Sequence, residues 1–97
     1  MIKDYESMII LKPQYTQDEA VKQNDSVVAV ITDNGGELIK TDTWGKRQLA
    51  YPIEKQTEGY YFINYFRADS ESLKAIQRLY NISESVLRFI IIDRSGK

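Results

Sequence analysis

An α+β fold with the element order βαββαβ is the architecture this sequence predicts, and three observations carry the prediction. Thr16-Gln17-Asp18-Glu19 has the capping-box pattern, and Gly35-Gly36 stands one helix length further on. Leu73, Ile76, Leu79 and Tyr80 recur at helical spacing after Asp69-Ser70, either of which can cap a second helix. Four runs rich in β-branched and aromatic residues lie before, between and after these two segments.

In chain order, the first strand is Tyr5-Glu6-Ser7-Met8-Ile9-Ile10-Leu11, ended at Lys12-Pro13 because proline cannot donate to a ladder. The first helix runs from Thr16 to about Asn34. Its second half, Val27-Val28-Ala29-Val30-Ile31-Thr32, is β-branched and would pass for a buried strand. The cap and the glycine stop decide for helix, with Val21, Val28 and Ile31 sharing a face. Glu37 to Ile53 is a long strand bent by a bulge at Gly45. Glu54–Glu58 is a polar turn, and Gly59 to Arg67 is an aromatic strand forming an antiparallel hairpin with its predecessor. The second helix closes near Asn81. Val86 to Ile92 is the last strand, with a basic end at Arg94 and Lys97. Right-handed crossovers fold this order into a ferredoxin-like sandwich: a four-stranded antiparallel sheet with two helices on one face and the other face open.

At 97 residues the chain has room for one core, so residues 1–97 are expected to form a single domain. It contains no cysteine and no histidine. Disulfides and thiolate chemistry are excluded, and the usual neutral-pH proton shuttle and commonest metal ligand are missing. No glycine-rich phosphate loop, metal-ligand spacing or nucleophile elbow is present, so neither an enzyme nor a cofactor is expected. The first residues form no signal peptide and the apolar run Met8–Leu11 is too short to span a membrane, which predicts a cytoplasmic protein. With 13 basic and 14 acidic residues the net charge is −1. Any nucleic-acid contact must therefore come from locally placed cations.

Glu58-Gly59-Tyr60-Tyr61-Phe62-Ile63-Asn64-Tyr65 approaches an RNA-recognition consensus, K/R-G-F/Y-G/A-F-V-x-F/Y, on the third strand. On that pattern Tyr60 and Phe62 face outward as base-stacking platforms, and Tyr61, Ile63 and Tyr65 face the helices. Glu58 replaces the leading cation, Tyr61 replaces the small residue, and the first strand lacks the companion aromatic. The plain alternative is an aromatic strand that fills the core and covers a protein partner. Lys46-Arg47 suits phosphate or partner contact, or equally a solvated face that discourages edge pairing. Arg88, inside an apolar strand, needs solvent, a carboxylate or a phosphate, and a cross-strand pair with Glu6 would satisfy it. Trp44 is a partner anchor or packs over the edge of the core. A bulge at Gly45 shifts side-chain parity, so the sequence leaves the face of Trp44 open.

These residues resemble the bacterial small-subunit ribosomal protein six family. The likeness runs from Lys3-x-Tyr5-Glu6 through Pro13 and Gly35-Gly36 to Val86-x-Arg88. Its specific part is Trp44-Gly45-Lys46-Arg47-x-Leu49-Ala50-Tyr51-Pro52-Ile53. The resemblance implies a structural ribosomal protein that binds 16S ribosomal RNA as a heterodimer with small-subunit ribosomal protein eighteen, a basic partner. By position-wise match it implies Lys3, Tyr5 and Arg88 as RNA-side residues, to which the local cations Lys46 and Arg94 are added. It implies Arg47, Leu49 and Tyr51 as the partner surface, with Trp44 as a candidate anchor. Lys3 stands where the family usually has arginine, which weakens bidentate phosphate contact there. Some members of that family carry a long acidic C-terminal tail; with this sequence read to Lys97, no tail function is expected to carry over. A free-standing single-stranded-RNA binder built on Tyr60 and Phe62 is the competing reading. An acylphosphatase-like hydrolase of the same topology would need a phosphate-cradling loop after the first strand, which Leu11-Lys12-Pro13-Gln14-Tyr15 does not supply.

Overall fold

The computed structural model describes residues 2–94, so Lys97 of the expected basic end lies outside the described residues. The elements are β1 (Ile2–Leu11), α1 (Gln17–Asp33), β2 (Glu37–Ile53), β3 (Gln56–Asp69), α2 (Ser70–Ile82) and β4 (Val86–Asp93). The strands form one antiparallel sheet in the order β2-β3-β1-β4. Both helices cover the same face, as a ferredoxin-like fold requires.

Local chemistry sets the helix ends. Thr16 and Glu19 form the expected reciprocal box: the Glu19 N–H donates to Thr16 Oγ1 at 3.2 Å, and the Thr16 N–H donates to Glu19 Oε1 at 2.8 Å. Asp69, not Ser70, caps α2, accepting from the Ser72 N–H at 2.9 Å. The buried stripe of α1 is Ala20, Asn24, Val27 and Ile31. Val21, expected on that face, is exposed, because the core-facing stripe runs one residue earlier.

The core lies between the helices and one side of the sheet. Tyr5, Ile9 and Leu11 of β1 meet Tyr60, Phe62 and Phe66 of β3 beneath Val27 and Ile31 of α1 and Ile76 and Tyr80 of α2. Asn24 and Asn64 are buried inside it and exchange two side-chain hydrogen bonds, at 3.0 and 3.3 Å. Thr41 donates to the same Asn64 oxygen at 2.8 Å, so the amide ties α1, β3 and β2 together.

This arrangement inverts the expected faces of β3. Tyr60 and Phe62 are 5% and 1% exposed and point at the helices. The Tyr60 hydroxyl donates to the Tyr15 carbonyl at 2.7 Å. Tyr61, Ile63 and Tyr65 take the open face. Side chains alternate with period two, so one error of parity moves the whole set. With Tyr60 and Phe62 in the core, the stacking platform expected at these two residues is not available to RNA.

The hairpin turn is also shorter than expected. Ile53 pairs with Gln56, leaving only Glu54 and Lys55, both at positive φ (49° and 66°). Such a turn usually carries Asn-Gly, and the absence of that signal hid it. The bulge at Gly45 is present. Thr43 pairs with Phe62 and Gly45 with Tyr61, so Trp44 is the extra residue, and Gly45 takes φ +83°.

Candidate functional site

The open face is built from alternate residues of β1 and their neighbours. Asp4, Glu6, Met8 and Ile10 pair with Arg67, Tyr65, Ile63 and Tyr61 of β3. On the other side Glu6, Met8 and Ile10 pair with Ile92, Ile90 and Arg88 of β4. The face therefore has a charged end and an apolar end.

At the charged end, Arg67 Nε donates to Asp4 Oδ1 at 2.8 Å and Arg94 Nη1 donates to Glu6 Oε1 at 2.9 Å. Lys40 Nζ lies 4.8 Å from the centre of the Tyr65 ring, and the Arg94 guanidinium 5.9 Å from it. Desolvation, followed by the Glu6 and Asp42 carboxylates, raises the Tyr65 hydroxyl above its ordinary pKa.

At the apolar end, β2 leaves its ladder. Between the pairs Gln48↔Glu58 and Ile53↔Gln56, β2 uses residues 49–52 while β3 uses only Thr57. The surplus chain carries Leu49 onto a small cluster with Ile10 and Leu87, flanked by Ile53 and Tyr61. Gly59 makes the room: a Cβ there would sit 2.6 Å from Ile10 Cγ2 and 3.0 Å from the Leu11 carbonyl. A groove results, walled by Met8, Ile10, Leu49, Tyr51, Arg88 and Ile90. Across its mouth Arg88 Nη1 donates to the Tyr51 hydroxyl at 2.6 Å.

The bulge decides the orientation of Trp44. Its ring stacks on Tyr61 (centroids 6.3 Å apart, 15° between planes), and the Arg47 guanidinium lies 5.2 Å above it. Trp44 is 43% exposed and thus remains available on this face. Among the described residues neither Arg47 nor Arg88 has a carboxylate within ion-pair distance, unlike Lys3, Arg67 and Arg94.

Five of the expected site residues converge at this end: Trp44, Arg47, Leu49, Tyr51 and Arg88. The others do not. Lys46 pairs with Tyr60 on the helix side, its Nζ 5.7 Å from that ring. Arg94 belongs to the charged end. Lys3 Nζ is 3.4 Å from Asp93 Oδ2 at the other extremity of β1. Tyr5, expected on the RNA side, is 5% exposed, with its ring 5.6 Å from Phe66. Its parity in β1 is that of Ser7, Ile9 and Leu11, so it is a core residue. The expected Glu6–Arg88 pair is absent because the register sets Arg88 beside Ile10 and Glu6 beside Ile92. Gly59, Leu87 and Ile90 were missed as site residues. For β4 the available signal was apolar character at both parities. Phe89 and Ile91 pack on the core, so Ile90 and Ile92 are left exposed on the opposite side.

Residues 4–93 match the family model described as ribosomal protein S6. The chain is 41% identical over 96 residues to small ribosomal subunit protein bS6 of Nitratiruptor sp., covering 99% of this chain and 75% of that relative. It is 41% identical over 91 residues to the bS6 protein of Thermoanaerobacter pseudethanolicus, covering 94% and 96%. The crystal structure of 30S ribosomal protein S6 from Thermotoga maritima superposes with a TM-score of 0.88 at 29% identity, covering 97% of this chain and 89% of that one.

Proposed function

The chain belongs to the ribosomal protein S6 family, and from that premise we propose how its surface is divided between partners. As a member it is a structural constituent of the small ribosomal subunit that binds 16S ribosomal RNA, and it is not an enzyme. It works on the ribosome, in the cytoplasm.

The protein partner is small-subunit ribosomal protein eighteen, and it docks on the apolar end of the open face. Trp44 supplies apolar area, buried Leu49 holds the groove wall from the cluster beneath, Tyr51 supplies an amphipathic ring, and Arg47 supplies a guanidinium pre-set on the indole. Arg88, at the rim of the same groove, takes an RNA phosphate. Lys3, Lys46 and Arg94 add weaker phosphate contacts from other parts of the surface, and Tyr5, buried against Phe66, makes none. The observation that carries this reading is the groove itself: an apolar hollow with Arg88 at its rim and Arg47 on the neighbouring indole, neither of them within ion-pair distance of a carboxylate among the described residues. The net charge of −1 supports it too, because a basic partner then supplies the attraction for RNA that this chain lacks.

Affinity for a 16S platform fragment, with and without protein eighteen, tests the reading. Weak binding alone and strong binding with the partner are expected. Equal affinities would overturn the heterodimer.

A further inference from the structure

We infer that Tyr51 is a positioning residue for Arg88, so that partner docking in the groove and phosphate binding at its rim are coupled; this rests on the assignment of Arg88 to RNA above. The segment bearing Tyr51 has left the β2–β3 ladder. Tyr51 is 55% exposed, so packing alone does not hold its ring. Its hydroxyl meets Arg88 from the far edge strand, 37 residues away in sequence, with β3 and β1 between them in the sheet.

The chemistry of the guanidinium makes this bond useful. It has five N–H donors in one plane. One goes to Tyr51, and the plane is thereby oriented while the other donors stay available to a phosphate fork. No carboxylate among the described residues competes for them. A partner seated in the groove covers the Tyr51 ring, immobilises its hydroxyl and so holds the fork. Linkage requires the converse: a phosphate that holds Arg88 strengthens partner docking by the same factor.

Tyr51→Phe removes the hydroxyl and keeps the ring. With the full chain, protein eighteen and a 16S platform fragment, fragment affinity is measured across a salt series, and partner affinity with and without the fragment. Tyr51→Phe is expected to weaken fragment binding by the complex about fivefold to tenfold, within the usual range of coupling. Arg88→Ala is expected to make the log–log salt slope shallower by roughly 0.7–0.9, one phosphate contact, and Tyr51→Phe by part of that. In the Arg88→Ala background Tyr51→Phe should have no further effect on fragment binding. The loss of partner affinity should be larger with the fragment present than without it, since only then does the hydroxyl have a phosphate to serve. Arg88→Lys keeps the charge without the fork and should lose its sensitivity to Tyr51→Phe.

Additive losses in the two backgrounds would overturn the coupling alone. So would a fall in partner affinity as large without RNA as with it, which marks a structural brace. An unchanged slope in Arg88→Ala removes Arg88 from the RNA surface, and the inference with it. No gain in RNA affinity on adding the partner to the parent protein overturns the heterodimer reading and the coupling together.

Discussion

The two ends of the open sheet face use the same side-chain types differently. At the charged end arginines answer carboxylates within the chain: Arg67 with Asp4, and Arg94 with Glu6. At the apolar end Arg47 lies on an indole and Arg88 on a phenol hydroxyl. A guanidinium satisfied internally must give up its carboxylate before it serves a partner. One resting on an aromatic group keeps its charge, and even Arg88, with one N–H on a phenol, keeps its remaining in-plane donors. Docking capacity therefore follows how each cation is already engaged, and counting cations along the chain would miss it.

The contrast can be broken most severely at Leu49. Leu49→Ala should cost about 2–3 kcal/mol of stability, near the lower end for a buried leucine because its cluster is small. Thermal and denaturant unfolding would measure it, and partner affinity should fall with it. An unchanged midpoint would mean that the surplus β2 segment is not held by this contact. Trp44→Ala should come next, lowering partner affinity by about 2 kcal/mol, the scale of an interface hot spot. Stability should fall by only about 1 kcal/mol, the scale of the one aromatic pair with Tyr61 that is lost. A titration of the partner against both proteins checks this.

At the charged end the expected effects are smaller. Arg67→Ala removes an exposed ion pair and should cost at most about 1 kcal/mol, fading in high salt, with partner affinity unchanged. A loss of partner affinity there would erase the distinction between the two ends. The smallest effect concerns Asp69, where β3 ends. The hydrogen bond from the Ser72 N–H lowers its pKa below the ordinary value. A folded-state pKa below the unfolded one adds stability above about pH 4, lost as pH falls through the lowered value. Asn is an equally good cap without a titration. Melting temperatures of the parent and Asp69→Asn should therefore keep a constant offset at neutral pH and change it only below about pH 4. An offset that stays constant to about pH 2 would show that Asp69 titrates alike in both states.

Legibility in the sequence differed by kind of feature. The cap of α1 was readable because both partners lie within one helical turn, Thr16 to Glu19. The bulge at Gly45 was readable from one glycine in an extended run. The faces of β3 were not, because Tyr60, Tyr61, Phe62, Ile63, Tyr65 and Phe66 put large apolar groups at both parities. Alternation then carries no direction. Asn64 was the hidden cue: its amide requires Asn24, and that pairing commits Phe62 and Phe66 to the helix side. Among the site residues, Trp44, Arg47, Leu49 and Tyr51 were legible as a group because they share one segment. Arg88 looked like part of a separate RNA surface, and only the sheet brings it to Tyr51.

By itself the sequence determined the element order, the helix boundaries and the hairpin partnership, since caps, glycines and apolar periods act within a few residues. Tertiary structure alone decided which way β3 faces, which cations are already engaged, and that the end of β2 reaches the far edge of the sheet. Those outcomes depend on register and on how many residues each strand uses between shared pairs. A shift of one residue exchanges the two faces, and no local propensity registers the difference.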